Sequence, residues 1–329
     1  MADYAFGESA LRILTCGDAS ASPRGMAQEQ LETSGARAGA MAAAAPMLFV
    51  LLWSSSFVTA KVGLRHLSPL LFVAIRLVAC ALVLAALMLV LRRSWQSLAN
   101  GRWFHCAVAG ALLNGVSLMG PHVALVTTPA AQIALVQSLT PLLTAACGVL
   151  LLRERLRTLQ WLGLVLGVAG VGLVVGGAAL ESAARLQGLL LAFVGVVGLV
   201  AGTLYFGRFC RGVPALPSAT VQFASAAIIA LLGMALLETP HAEWTGDTVA
   251  AVAWNTLMVS LGGMALYSFM LVRHSVARAS ANFYLVPGTT AMLAWLSLGE
   301  RPAVNVVIGL VLASAGCWLV NAAGERRAD

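Results

Sequence analysis

Residues 141–174, PLLTAACGVLLLRERLRTLQWLGLVLGVAGVGLV, return 146 positions later as residues 287–320, PGTTAMLAWLSLGERPAVNVVIGLVLASAGCWLV. The two stretches share 15 identities in 34 positions without a gap. The shared positions include a proline, an acid–base pair and two glycines: Pro141 with Pro287, Glu154–Arg155 with Glu300–Arg301, Gly163 with Gly309 and Gly170 with Gly316. An apolar bias alone does not align these residue types, so the chain contains an internal repeat.

The composition identifies the class of protein in which this repeat lies. Sixty per cent of the residues are hydrophobic, 10% are charged, and the mean hydropathy is +0.89. Runs of about 20 apolar residues match the thickness of a bilayer. The sequence predicts ten such spans, at roughly 45–64, 70–91, 103–126, 129–152, 158–176, 187–208, 217–237, 248–271, 275–298 and 303–321.

The repeat divides these spans into two halves. The first half covers residues 42–177 and the second covers 185–324, with a short linker at 178–185. Five spans per half is an odd number, so the two halves must enter the bilayer from opposite sides. We therefore expect an all-α integral membrane protein with ten transmembrane helices in a five-plus-five inverted repeat, an architecture typical of secondary transporters.

The net charge of +7 reports the topology of the chain and not a nucleic-acid partner. With the N-terminus placed inside, 15 of the 20 Lys and Arg residues fall in inside segments and four fall outside. This skew follows the positive-inside rule. Both termini are thus predicted to be cytoplasmic in a bacterial-type inner membrane, and the expected partners are the lipid bilayer and a small solute, with no nucleic acid.

The first 41 residues differ from the rest of the chain. They combine acidic residues with Ser, Gly and Ala and contain no apolar run long enough for a signal peptide. We expect a disordered tail, or a start codon assigned too early, since Met26 and Met41 are also plausible starts. The six cysteines show neither a C-x-x-C motif nor metal-ligand spacing, so no disulfide framework, metal or cofactor is expected.

Several motifs carry a resemblance to a known family. Leu51–Val58 followed by Lys61–Gly63, then Ala74–Leu77, resemble the first two spans of the EamA domain of the drug/metabolite transporter superfamily. The prolines, Glu-Arg pairs and glycines of the repeat resemble the fourth and fifth spans of that domain. The resemblance covers about 42–322 and implies two EamA repeats that move metabolites or amphipathic compounds across the cytoplasmic membrane. The second half departs from the pattern at 201–205, where Ala-Gly-Thr-Leu-Tyr replaces the Trp-Ser run.

Polar residues within spans are the candidates for substrate binding, because they are costly in lipid and must face protein or water. Each of them could instead mediate helix packing. Arg76 could bind an anionic group, brace neighbouring carbonyls or reach the interface by snorkelling. The candidates are Trp53, Ser54, Ser55, Ser56, Arg76, Asn114, His122, Gln137, Tyr205, Gln222, Asn255, Tyr267, Asn282 and Tyr284.

Two further predictions concern movement. Pro141 and Pro287 lie in matching spans, where each removes a backbone hydrogen bond and bends the helix, either as part of a moving element or as a static kink. The pairs Glu154–Arg155 and Glu300–Arg301 are interpreted as hinge pairs at helix ends. The glycines of the fifth span are expected to pack within a monomer, and a homodimer face is the minority alternative.

An absence narrows the function. None of the 13 acidic residues lies in the middle of a predicted span. Proton-coupled exporters of cationic drugs usually depend on an intramembrane carboxylate, so that class is disfavoured, whereas facilitated diffusion, exchange and a His122-linked step stay open. An exporter or exchanger of small metabolites, amino acids or amphipathic compounds is the leading hypothesis. The alternatives are a membrane-embedded enzyme, for which no H-E-x-x-H or G-x-S-x-G motif is present, and a membrane scaffold or sensor, for which no output domain is present.

Overall fold

The computed structural model describes residues 44–152, 158–266, 270 and 285–325, and in this part the chain is almost entirely helical. Within the described residues the only extended pairing is an isolated bridge between Leu67 and Ala242. Eight described helices are long and apolar enough to cross a membrane, and two further apolar helices are shorter. The protein is therefore a multi-pass membrane protein, and the predicted count of ten spans remains a prediction.

We label the helices in chain order. The first five are α1 (Ala44–Gly63), α2 (Pro69–Val90), α3 (Arg102–Thr127), α4 (Ala130–Gln137 and Leu139–Leu152) and α5 (Thr158–Glu181). The others are α6 (Ala183–Phe209), α7 (Ala215–Leu237), α8 (Gly246–Leu266), α9 (Leu285–Leu298) and α10 (Val304–Glu325). Proline begins several of them: Pro69 occupies the first turn of α2, and Pro129 and Pro214 precede α4 and α7. Proline lacks an N–H, which is unsatisfied in a first turn in any case.

The segment 178–185, predicted as the linker between the two halves, is helical except at Ser182. Helix α5 continues to Glu181 and α6 begins at Ala183, so that only Ser182 breaks the helical path. The Ser182 hydroxyl accepts a hydrogen bond from the N–H of Ala184, and Glu181 forms an ion pair with Arg185. Alanine and glutamate favour helix, which explains why this polar segment does not form a loop.

Helices far apart in the chain pack against each other in pairs. Helix α2 packs on α7, α3 on α6, α4 on α9 and α5 on α10. Hydrogen bonds from Trp254 and Asn255 to Ser55 and Thr59 join α8 to α1. These long-range contacts, and not local pairing of successive helices, form the interior of the bundle.

The 146-residue offset extends into the backbone beyond the sequence repeat. The start of α2 at Pro69 recurs with this offset as the start of α7 at Ala215. Helices α3 and α8 each contain a π-helical segment, at Ala111–Val116 and Trp254–Gly262. The ends of these two segments also differ by 146 positions. Such segments are rare in helices and are frequent at functional sites.

Helices α5 and α10 approach closely through glycines. A Cβ atom at Gly163 would lie 2.6 Å from the carbonyl oxygen of Gly316, and one at Gly170 would lie 2.6 Å from that of Gly309. Because 163 pairs with 316 and 170 with 309, the two helices are antiparallel. Only residues without a side chain permit backbones this close.

Four connections lie together at one end of the bundle. His66 in the α1–α2 loop contacts Glu243 in the α7–α8 loop. Lys61 at the end of α1 contacts the α3–α4 turn and Glu300 in the α9–α10 loop. We call this end the outer end, since the arginine distribution predicts that it faces the outside.

Candidate functional site

A buried polar network surrounds Arg76, the only charged residue well inside a predicted span. Its Nε donates to the hydroxyl of Ser260 at 2.9 Å, and its Nη1 donates to Oδ1 of Asn255 at 3.0 Å. Asn255 in turn donates through Nδ2 to the hydroxyl of Thr59 at 2.8 Å. These contacts connect α2, α8 and α1. We define the Arg76 network by these residues together with a second α1–α8 contact: Arg76, Asn255, Ser260, Thr59, Ser55 and Trp254.

The network is built on the π-helical segment of α8. Asn255 lies near the start of this segment and Ser260 near its end, and both bind the same guanidinium. Next to them the indole of Trp254 donates to the hydroxyl of Ser55 at 2.9 Å. The irregular turn of α8 is therefore fixed from two sides, by α1 and by α2.

Arg76 has no carboxylate partner within ion-pair distance in the described residues. Its side chain is 4% exposed, and Asn255 is fully buried. The seven-residue distance from Pro69 puts Arg76 about 10 Å below the outer end, at the rise of an α-helix. The side chain forms hydrogen bonds with α8 instead of snorkelling to the interface. A buried cation that is compensated only by neutral groups is costly and suits the binding of an anionic group.

The three serines predicted in α1 have different roles. Ser54 is fully buried and donates to the carbonyl of Val286 in α9 at 3.2 Å. Ser55 belongs to the Arg76 network through Trp254, and Ser56 donates back to the carbonyl of Trp53 at 2.7 Å. Trp53 itself packs on Phe49, with ring centroids 5.4 Å apart.

His122 lies close to the Arg76 network. Its ring stacks on Phe72, one turn before Arg76 in α2, with centroids 5.6 Å apart. Its Nδ1 donates to the carbonyl of Leu118 at 2.7 Å, while Nε2 is buried without a partner in the described structure. With Nδ1 donating, Nε2 of the neutral ring is a hydrogen-bond acceptor.

Other predicted site residues lie apart from the network. Tyr205 in α6 bonds to His105 near the opposite end of the bundle, and Gln222 donates to Ser218 within α7. Asn114 is half-buried in the π-helical segment of α3, and Gln137 is half-buried at the end of the first part of α4. Tyr267, Asn282 and Tyr284 lie outside the described residues.

Pro141 leaves the carbonyl of Gln137 without its usual N–H donor four residues later. The hydroxyl of Thr140 donates to that carbonyl at 2.7 Å instead. The first part of α4 ends at Gln137, and the helix resumes at Leu139. The predicted bend at Pro141 therefore coincides with an interruption whose freed backbone group is satisfied locally. Pro287 is buried in α9.

Glu300 pairs with Lys61, a residue far away in the chain, while the hinge role of the Glu300–Arg301 pair stays a prediction. Its carboxylate forms an ion pair with Lys61 of α1 and accepts the N–H of Ala130, at the start of α4, at 3.0 Å. Lys61 also donates to the carbonyl of Thr128 at 3.0 Å. We call Lys61, Glu300, Thr128 and Ala130 the outer latch. The matching pair Glu154–Arg155 lies outside the described residues.

Gly299 orients Glu300 toward the latch. It has a φ of +70°, a conformation in which a side chain is strained, and its N–H bonds to the carbonyl of Trp295. This is the usual way in which a helix ends at a glycine. The reversal of the chain after α9 directs the Glu300 carboxylate toward α1 and α4. Glu300 of the repeated motif therefore contacts α1 and α4, and its neighbours in the sequence do not indicate this role.

The α1–α2 and α7–α8 loops also contact each other at the outer end. The Nδ1 of His66 donates to Glu243 at 3.1 Å, and Nε2 of His241 lies 3.5 Å from the same carboxylate. The hydrogen bond from His66, followed by the charge of His241, holds the pKa of Glu243 below its usual value. No group of three His, Cys, Asp or Glu side chains in the described part of the chain is arranged to hold a metal ion.

Comparisons with known proteins give the relationships of the chain. A profile of the family described as "EamA-like transporter family" matches residues 39–176 and 186–322. The chain is 24% identical over 288 residues to the uncharacterized inner membrane transporter YedA of Escherichia coli, covering 83% of this chain and 90% of that protein. It is 26% identical over 307 residues to a probable terminal-alkyne amino-acid exporter of Streptantibioticus cattleyicolor, covering 85% and 94% of the two chains.

Two more matches complete the comparison. A probable amino-acid metabolite efflux pump of Salmonella typhimurium is 25% identical over 300 residues, covering 85% of this chain and 94% of that protein. A protein of known crystal structure superposes with a TM-score of 0.59 at 23% identity, covering 85% of this chain and 96% of the other. That structural likeness concerns the fold alone.

Proposed function

Since the chain belongs to the EamA-like transporter family, we propose that it is a secondary transporter that exports or exchanges small metabolites by alternating access. It is a membrane protein of a family whose named members here are transporters, an exporter and an efflux pump. The proposal places it in the cytoplasmic membrane with both termini inside, and its ten helices form a five-plus-five inverted repeat.

The observation that carries this proposal is the reciprocal contact of α5 and α10. Under the 146-residue offset Gly163 corresponds to Gly309, and Gly170 corresponds to Gly316. Gly163 meets Gly316 while Gly170 meets Gly309, so each glycine touches the counterpart of the other. Contacts of this reciprocal kind arise when two units are related by a two-fold axis. In antiparallel membrane helices such an axis lies in the membrane plane, as an inverted repeat requires.

The pairing of the other helices supports the same axis. Three pairs, α2–α7, α4–α9 and α5–α10, join a helix to the one five places later. A two-fold axis that exchanges each helix with the one five places away in the chain converts the pair α3–α6 into the pair α8–α1. The helices of both pairs are in contact. When two such halves switch between two relative arrangements, a central site opens to one side of the membrane and then to the other. The interruption of α4 before Pro141 supplies a point at which a helix can bend during that exchange.

The Arg76 network is the candidate substrate site. Its cation has no described acidic partner, and His122 nearby offers an unpartnered acceptor. A solute with an acidic group for Arg76 and a hydrogen-bond donor for Nε2 of His122 suits this site, as an amino acid or another small zwitterion does. Two relatives are named for amino-acid or amino-acid-metabolite export, which agrees with the same class of solute.

The coupling proposed is exchange or facilitated movement down the gradient of the solute. The described acidic side chains lie near helix ends or in loops, at Glu181, Glu238, Glu243, Asp247 and Glu300. Transport driven by a titrating intramembrane carboxylate therefore has no described residue to perform it.

Solute exchange in proteoliposomes tests the function. Vesicles loaded with unlabelled amino acids or amphipathic metabolites should accumulate the labelled solute from outside when the protein is present. Arg76→Gln should reduce the rate at least tenfold for acidic or zwitterionic solutes, because the cation is lost and an amide remains. If no solute crosses under any gradient while ligand binding persists, the transporter proposal is wrong.

A further inference from the structure

We propose that the outer latch is the gate on the outer side of the transport path. Lys61 and Glu300 come from α1 and from the α9–α10 loop, and both hold the turn between α3 and α4. One ion pair and two hydrogen bonds thus join three separate segments at the outer end. The inference rests on the proposed alternating access, because only an outward opening requires these segments to separate.

The charges of the latch match the helix ends that they hold. Thr128 terminates α3, where unpaired carbonyls give a negative helix end, and Lys61 donates to its carbonyl. Ala130 begins α4, where unpaired N–H groups give a positive end, and Glu300 accepts from it. Each charge therefore interacts favourably with a helix dipole as well as with the other charge. Both side chains are about one-fifth exposed, so the latch is neither fully screened by water nor sealed in the core.

Water and solute have access to the latch from outside. A cavity of about 280 Å³ is lined by both latch side chains, by Arg65 and by apolar residues from the α1–α2 loop, α3 and α9. An ion pair at the wall of a wet cavity separates more readily than a buried one, because water solvates the separated charges. The latch is thus placed where a small change in hydration changes the balance between closed and open forms.

The latch has no matching lysine in the other half. Under the 146-residue offset Glu300 corresponds to Glu154, but Lys61 corresponds to Gly207 near the end of α6. A gate of the same chemistry therefore cannot form from equivalent positions at the inner end. The consequence is a bias: the ion pair favours the form that is closed to the outside, and its loss favours the form that is open to the outside.

A reversible cross-link tests whether the latch must open. The double variant Lys61→Cys and Glu300→Cys is reconstituted and linked with a short, reducible bifunctional thiol reagent. We expect the cross-linked protein to lose at least tenfold in exchange rate and to recover on reduction. A cross-linked protein that exchanges solute as fast as the reduced one overturns the gate, because a static brace can be locked without loss.

Labelling from outside tests the bias without any knowledge of the solute. Ser54 lies two turns below Lys61 in α1 and is fully buried, so Ser54→Cys reports outward opening to an impermeant thiol reagent in right-side-out vesicles. We expect Lys61→Met to raise its labelling rate about tenfold. Arg185→Met is the matched control, because it breaks the ion pair with Glu181 without touching the latch. This pair lies at the same end, since the neighbouring Ala184 accepts a hydrogen bond from Thr127 at the end of α3.

The two tests separate the gate from the proposed function. Equal labelling in the Lys61→Met and Arg185→Met backgrounds overturns the gate even if solute exchange is robust. Labelling that is faster with Lys61→Met but not with Arg185→Met supports the gate. If no tested solute is exchanged in that case, only the transport proposal fails.

Discussion

Replacement of Gly163 by alanine tests the contact between α5 and α10 on which the proposed two-fold arrangement depends. The added methyl carbon would lie 2.6 Å from the carbonyl oxygen of Gly316, with Val320 and Leu319 also within about 3.1 Å. An ordinary contact requires about 3.4 Å, so the helices must move apart by roughly 0.8 Å. Overpacking of this kind typically lowers the free energy of unfolding by about 1–3 kcal/mol.

The chain supplies its own control on the same helix. Gly172 and Gly176 have no atom within 4 Å of an added methyl. Alanine at either position should be neutral or should stabilise the helix by up to about 1 kcal/mol, because alanine has the higher helix propensity. Thermal unfolding in detergent micelles measures both effects. We expect Gly163→Ala to lower Tm by roughly 2–10 °C and Gly172→Ala to leave it unchanged or raised.

A double variant makes the test sharper. Gly163 and Gly316 meet at the same crossing, since a methyl at Gly316 would lie 2.5 Å from the carbonyl of Gly163. Once the first methyl has separated the helices, the second finds more room, so the combined loss of stability should be smaller than the sum of the single losses. Equal stability of Gly163→Ala and Gly172→Ala, or strict additivity of the pair, would refute the described contact.

Three further predictions follow from the site and the outer end. Arg76→Lys should retain the charge but lose one of the two hydrogen bonds to α8, lowering exchange of zwitterionic solutes and the free energy of unfolding by about 1 kcal/mol, measured by proteoliposome exchange and by Tm. Pro141→Ala restores an N–H donor to the carbonyl of Gln137, so it should raise Tm while slowing exchange; a variant with an unchanged exchange rate would mark the proline as a static kink. Glu243 has a depressed pKa, so its contribution to stability is present above the usual carboxyl range and is lost as the pH falls through the lowered value. The difference in Tm between the native protein and Glu243→Gln should therefore vanish in acid, and a pH-independent difference would contradict the contact with His66.

The sequence predicted the helical membrane fold because hydropathy and helix length are local properties. The predicted span 217–237 and the helix Ala215–Leu237 differ by two residues at one end. The predicted linker at 178–185 is interrupted only at Ser182, because its alanines and the Glu181–Arg185 pair favour helix. Local composition therefore predicted the positions of the apolar helices more accurately than the points at which the helices are interrupted.

The site was only partly predictable, because it depends on which helices are neighbours. Arg76, Asn255 and Ser55 were each named as polar residues in spans, but the same reasoning also named Tyr205, which lies near the opposite end of the bundle beside His105. No sequence pattern indicated that α1 packs on α8 or that Thr59 bonds to Asn255, 196 positions away.

Glu300 illustrates the same limit. Its neighbour Arg301 suggested a local pair, whereas adjacent residues point in different directions and the partner is Lys61. The helix-end position of Glu300 could have indicated that it interacts with a helix terminus, but it could not have indicated which one.

The π-helical segments of α3 and α8 carry a record of descent. Each accommodates more residues per turn than an α-helix, and Ala111–Val116 and residues 257–262 end 146 positions apart. Aligned by that offset, the six residues ALLNGV and LMVSLG have no identity. A shared irregularity without a shared residue is most simply inherited from a single ancestral half that already contained it before the gene duplicated. The two halves therefore share the path of the backbone at this point and none of the six side chains on it.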